Sequence, residues 1–137
     1  MVDASVASRF LLTEDSSDKA TSLLKAFANG DVDLEAPELV NYEVGNTLWK
    51  AVKRRLLTAA EASEKLSDFL RLRLSSIQLN EEESQDALIW GAKNDATYYD
   101  SVYVIASKKT GAALLTADST LYEKASKEVT TLQLREL

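Results

Sequence analysis

Four carboxylates in this sequence stand where a solvated surface acid has little reason to be: Asp3, Glu43, Asp100 and Asp118. Asp100 is the only charge in "TYYDSVYVIAS", residues 97–107. On a helix, Tyr98, Val102 and Ile105 trace one apolar stripe and Tyr99, Tyr103 and Ala106 trace a second beside it. Little of that surface is left for water, and a carboxylate there is costly unless a cation or hydrogen bonds meet it. Asp3 follows a very short apolar start, and Asp118 closes the run "ALLTA". Glu43 lies beside the stripe formed by Val40, Val44, Thr47, Leu48 and Ala51, on a face shared with Asn46. Each acid also has an ordinary alternative. Asp3 and Asp118 read as helix N-caps, Glu43 as a solvated flank, and Asp100 as a first-turn acid favoured by the helix dipole. The conjunction is what points to chemistry, because gathered like charges repel unless something positive sits among them.

The rest of the composition narrows that chemistry. The chain contains no cysteine and no histidine. Disulfides, Cys/His zinc sites, thiol nucleophiles, the Ser-His-Asp triad and any histidine general base are thereby excluded. An all-oxygen set of acids suits Mg²⁺ or Mn²⁺. The net charge of −6 argues against purely electrostatic nucleic-acid binding over the whole surface, while leaving room for a local basic patch. The longest uncharged stretch, Thr110 to Ala117, is far short of the roughly 20 apolar residues a membrane span needs. No basic-then-apolar leader is read at the start, so a cytoplasmic protein without membrane attachment is expected.

The elements that must position these acids alternate. "SSDKATSLLKAFANG" reads as a helix closed by Asn29-Gly30, and "DVDLEA" as a strand with Val32, Leu34 and Ala36 on one side. Pro37 suits the first position of a helix running through "PELVNYEVGNTLWKAVKRR". Thr58 to Glu61, "TAAE", is a capping box opening a helix to about Leu72. "LSSIQL" reads as a strand, "EEESQDALIWGAKN" and "TYYDSVYVIASKK" as helices, "AALLTAD" as a buried strand, "STLYEKASK" as a short helix and "VTTLQL" as a last strand. Such alternation predicts one α/β domain over residues 1–137, with a central, mainly parallel sheet flanked by helices in three layers. Sites in such sheets lie at the carboxyl ends of strands, where Asp3 and Asp118 fall.

"VDASV", "PELVNYEVGNTLWKA", "YYDSVYVIAS" and "LLTADSTLYEKA" occur in the order of the PIN-domain ribonucleases, and size and motifs resemble the VapC-type toxins among them. The resemblance implies a PIN-like fold with a pocket formed by Asp3, Glu43, Asp100 and Asp118, ordered through hydrogen bonds by Ser5 and Asn46. It further implies metal-dependent cleavage of RNA, a homodimer, and silencing by a small VapB-type antitoxin protein. Residues 54–94 carry no motif of the family.

On this reading Asp3, Asp100 and Asp118 hold the metal, and Glu43 either joins them or orients the attacking water. Lys50, Lys53, Arg54 and Arg55 are candidate phosphate-positioning cations, with Arg71 and Arg73 as additions; the ordinary alternative is a solvated helix C-terminus. Trp49, Trp90, Tyr98, Tyr99 and Tyr103 are candidate base-stacking groups, with core packing expected for most. Two other classes are compatible with an acidic α/β pocket. A receiver-like Mg²⁺-binding signalling module wants paired acids after the first strand and a late lysine, and only Asp3 and Asp118 stand there. A PIN-fold binding protein without activity keeps the fold; the four intact acids argue against it.

Overall fold

The computed structural model describes residues 1–137. Its elements run α1 (Ala4–Ser8), α2 (Ser17–Ala28), β1 (Glu35–Pro37), α3 (Leu39–Lys53), α4 (Ala59–Arg71), β2 (Ser75–Ile77), α5 (Glu81–Asn94), α6 (Tyr98–Thr110), β3 (Leu114–Thr116), α7 (Ser119–Ala125) and β4 (Thr131–Gln133), with a closing 3-10 turn Leu134–Glu136. The predicted alternation is therefore present, and helices flank a thin parallel sheet. β1 pairs with β2 in parallel and β3 with β4 in parallel. Residues 1–3 join the two pairs. The Val2 N–H donates to Glu35 O at 2.9 Å, and the Leu115 N–H donates to Met1 O at 2.8 Å. The order across the sheet is thus β4, β3, residues 1–3, β1, β2, with Val2 and Leu115 forming a parallel bridge. The apolar start is short, yet it is the centre of the sheet: Met1 and Val2 are buried.

Local chemistry explains most boundaries. Thr58 and Asn80 open α4 and α5 with reciprocal capping boxes to Glu61 and Glu83. Gly111 ends α6 at φ +75°, a conformation that L side chains adopt only under strain. α5 packs against α6 so closely that a Cβ on Gly91 would meet Ser101 Oγ at 2.5 Å and Ala96 O at 3.0 Å. Gly91 is what allows the helix bearing Asp100 to sit at this distance. One buried cluster, including Val6, Val44, Phe69, Tyr103, Leu114 and Leu134, fills the space between sheet and helices.

Several expectations are corrected. Pro37 ends β1 rather than opening a helix; it pairs with Ile77, and α3 begins at Leu39. Its missing N–H is tolerated because β1 is only three residues long and Pro37 closes it. The strand read in "DVDLEA" starts later, at Glu35, and Val32 is exposed. Arg54 and Arg55 lie beyond α3, with Arg55 at φ 59°. Of the five candidate stacking residues only Trp90 and Tyr103 are core; Trp49, Tyr98 and Tyr99 are exposed by 57%, 43% and 57%. The first turn of α6 is consequently more open to water than its composition implies. No helix is long and apolar enough to cross a membrane.

Candidate active site

All four acids line one cavity of about 350 Å³ at the carboxyl-end rim of the sheet. They reach it from four elements. Asp3 ends the central strand segment and caps α1; Glu43 projects from α3; Asp100 lies in the first turn of α6; Asp118 follows β3 and caps α7. The helix-cap readings of Asp3 and Asp118 are therefore correct as local structure, and the same residues face the cavity.

Asp3 is the most tightly held. It is only 4% exposed. Its Oδ1 accepts from Ser5 Oγ at 2.6 Å and from the Val6 N–H at 3.0 Å, and its Oδ2 accepts from Thr116 Oγ1 at 2.5 Å. Ser5 Oγ in turn accepts from the Ala117 N–H at 2.8 Å, tying α1 to the end of β3. Ser5 thus links the Asp3 carboxylate to the backbone after β3. Asn46 lines the cavity, but its side chain is exposed and makes no hydrogen bond to any acid. It sits three residues along α3 from Glu43, on the same cavity wall.

Glu43 is held by a partner that sequence reading assigned to the core. The Tyr103 hydroxyl donates to Glu43 Oε2 at 2.6 Å. Tyr103 is 1% exposed, so its ring packs in the core while its hydroxyl reaches the cavity. Neither Tyr103 nor Thr116 announces this in the sequence. Their partners are 60 and 113 residues away, beyond the reach of any local pattern.

The electrostatics of the cavity are those of crowded, partly dehydrated acids. Burial pushes the Asp3 carboxyl up; donation from Ser5, Thr116 and Val6 opposes this, and the charge of Asp100 adds to it. Burial also raises Glu43, against the Tyr103 hydrogen bond, with Asp100 and Asp3 repelling its charge. Asp100 is half-buried and is raised by burial, opposed by Thr97, with Asp118 raising it and Lys124 lowering it. The cavity carries a standing need for positive charge. Of the expected cations only Lys50 lines it. Lys53 lies over the Trp49 ring, 5.9 Å from its centroid, and Arg54 and Arg55 are exposed past the helix end. Arg71 pairs with Asp68 at 3.8 Å, well away from the acids in α4. Arg9 is a cavity residue that the sequence did not suggest. It pairs with Glu14 at 3.3 Å and donates to Ser5 O and Asp15 O.

Five carboxylates line the cavity; Glu14 is paired with Arg9, and the other four form an all-oxygen donor set that fits a hard divalent cation. As the side chains stand, no three of them are close enough to hold one ion together. Their present hydrogen bonds explain this: Asp3 is drawn toward Thr116, Glu43 toward Tyr103, and Asp118 toward the Thr120 and Leu121 N–H groups. To share one cation, the side chains would have to turn inward from these partners.

Comparison with known proteins agrees with this arrangement. The PIN domain matches residues 1–127. The chain is 35% identical to Ribonuclease VapC3 of Pyrobaculum aerophilum over 128 residues, 90% of this chain and 92% of that one. The crystal structure of PAE2754 from Pyrobaculum aerophilum superposes with a TM-score of 0.72 at 22% identity, covering 98% of this chain and 90% of that one, a likeness of fold.

Proposed function

The chain belongs to the PIN-domain family, and on that premise we propose that it is a VapC-type endoribonuclease that hydrolyses RNA phosphodiesters with Mg²⁺ or Mn²⁺. The observation that carries the proposal is the meeting of Asp3, Glu43, Asp100 and Asp118 on one cavity, from four separate elements. Nothing in packing alone calls for four acids there, and burial with mutual repulsion disfavours the charge on Asp3, Glu43 and Asp100.

Asp3, Asp100 and Asp118 are the residues that would hold the cation, with Glu43 at the edge of the set. When bound, the ion supplies Lewis-acid stabilisation of the phosphate and a water of lowered pKa. The protein's own contribution is positional. Ser5, Thr116 and the Val6 N–H fix Asp3 in place. Tyr103 occupies Glu43 Oε2 and leaves Oε1 to accept a hydrogen bond from water. A Glu carboxyl raised by burial is the better proton acceptor for that water. Lys50, at the cavity wall, attracts the phosphate that the acids repel. A cytoplasmic homodimer inhibited by a small VapB-type antitoxin completes the reading.

The deciding experiment is cleavage of a mixed RNA pool by purified protein with Mn²⁺, with Mg²⁺ and with EDTA, beside Asp100→Asn. Metal-dependent cleavage that drops at least a hundredfold in the variant is expected. Folded protein that binds Mn²⁺ and cuts no RNA would leave a PIN-fold binding protein. Absence of both metal binding and cleavage would refute the acid pocket as a metal site.

A further inference from the structure

A second cavity, of about 230 Å³, opens on the other side of Arg9, which lines both. Its wall includes Gln133, the last residue of β4, together with Ser16, Ser119 and Arg135. We infer that this cavity is a nucleobase subsite, in which the Gln133 amide reads the RNA residue beside the scissile phosphate. The inference rests on the endoribonuclease reading and adds to it a determinant of which RNA is cut.

Three observations meet here. The first is register: Gln133 pairs with Thr116 across the parallel β3–β4 ladder. Paired residues on neighbouring strands project to the same face, one strand spacing of roughly 4.8 Å apart. Thr116 is the residue whose hydroxyl holds Asp3, so Gln133 is its next neighbour outward from the acids. The second is an unsatisfied group. Gln133 is 4% exposed, and its Oε1 is buried with no hydrogen-bond partner. A buried amide oxygen without a donor is unfavourable, and an apolar residue of similar size would serve the core better. The third is charge. Arg9 is spent on Glu14, Asp15 O and Ser5 O and forms a fixed wall between the cavities. Arg135 is exposed at the mouth and takes part in none of the chain's ion pairs. A strand leaving the acid pocket past Arg9 thus meets a small polar recess whose wall carries the Arg135 guanidinium, with Asp15 as its one acid. The recess is smaller than the roughly 300–1,000 Å³ of sites for drug-sized ligands, which suits a single base. A glutamine amide offers one donor and one acceptor, the pattern that pairs with an adenine edge. The competing occupant is a trapped water.

Two readouts test this. Randomised RNA is cleaved with Mn²⁺ and the bases flanking the cuts are sequenced. Separately, the four ribonucleoside 5′-monophosphates are titrated in EDTA, by NMR, onto wild type, Gln133→Met and Arg135→Ala. Wild type should favour one base by about tenfold at one position next to the cut, the ratio given by one hydrogen bond of ordinary strength. Gln133→Met should bring that ratio below about twofold while preferences elsewhere persist, and Arg135→Ala should weaken all four nucleotides alike. Unchanged preference and unchanged nucleotide binding in Gln133→Met would overturn the subsite and assign the amide to a trapped water. If Gln133→Met fails to fold, Gln133→Glu must change the preferred base; the same base overturns the inference. Gln133-dependent nucleotide binding without any RNA cleavage upholds the subsite and refutes the nuclease reading. Cleavage with nucleotide binding indifferent to Gln133 does the reverse.

Discussion

Replacing Tyr103 with Phe removes one atom and isolates one interaction. The hydroxyl donates to Glu43 Oε2 at 2.6 Å, a short bond to a charged group. Such bonds contribute about 1.5–3 kcal/mol. Two features place this one at the low end. Glu43 is only half-buried, so water can replace part of the lost donor, and the Phe variant no longer buries a hydroxyl. The expected loss at pH 7 is about 1.5 kcal/mol, which at about 4 °C per kcal/mol for a chain of this size lowers Tm by about 6 °C. The pH dependence supplies a second check. The folded pKa of Glu43 is raised, with burial the main cause and the Tyr103 bond the main opposition. A raised carboxyl means that the native state binds more protons than the unfolded one. The contribution of Glu43 to stability is therefore fullest below the ordinary glutamate value of 4.5 and is lost as pH rises through the folded pKa. Removing the Tyr103 donor raises that pKa further, so the difference between variant and wild type must be largest near neutrality and shrink toward pH 4. Urea unfolding of the metal-free protein in EDTA at several pH values measures it. A difference below about 0.5 kcal/mol at pH 7, or one that grows on acidification, would refute the assignment of Tyr103 as the support of Glu43.

Thr116→Val removes one of the donors to the buried Asp3 and should destabilise the fold by about 1–3 kcal/mol at pH 7, with a smaller loss at pH 4. The same variant should bind Mn²⁺ more weakly, as read by calorimetry. Lys50→Ala should lower the salt slope of RNA binding by about 0.7, the value for one lost contact on a single strand, with unfolding unchanged. Gly91→Ala should cost about 1–3 kcal/mol in urea unfolding, because the new Cβ meets Ser101 Oγ and Ala96 O; the clash outweighs the better helix propensity of alanine.

Much of the framework was legible in the sequence because it is set by near neighbours. The capping box at Thr58 and the acidic start of "EEESQDALIWGAKN" are local chemistry, and helix boundaries there fall where the residues say, while the second capping box, at Asn80, came only with the structure. The four acids stood out for different reasons: Asp3 and Asp118 follow short apolar runs and precede helices, Asp100 is the lone charge in an apolar stretch, and Glu43 shares a helix face with Asn46 beside an apolar stripe. What was not legible is how those acids are held. The Tyr103–Glu43 bond joins α6 to α3 and the Thr116–Asp3 bond joins β3 to the central segment, and a tyrosine with a buried ring looks the same in sequence whether or not its hydroxyl has work. Tyr98 and Tyr99 were misread for the same reason, since an amphipathic ring satisfies either a core or a surface stripe. Pro37 was assigned to α3 by its fixed φ, but a three-residue strand has room for a proline at its end.

The central place of residues 1–3 bears on when, during synthesis, this protein becomes a nuclease. These residues are made well before their hydrogen-bond partners, Glu35 on one side and Leu115 on the other. Asp3 must likewise wait for a hydroxyl 113 residues further on. A nascent chain stopped short of β3 has neither the inner sheet nor the fourth acid, whatever its helices have done. Closing so long a loop is slow and entropically costly, and it comes late for any chain emerging in order. The acid pocket and the inner sheet are therefore completed only once β3 and Asp118 have been made. A ribosome whose copy stops short of them holds no complete acid pocket beside its own RNA.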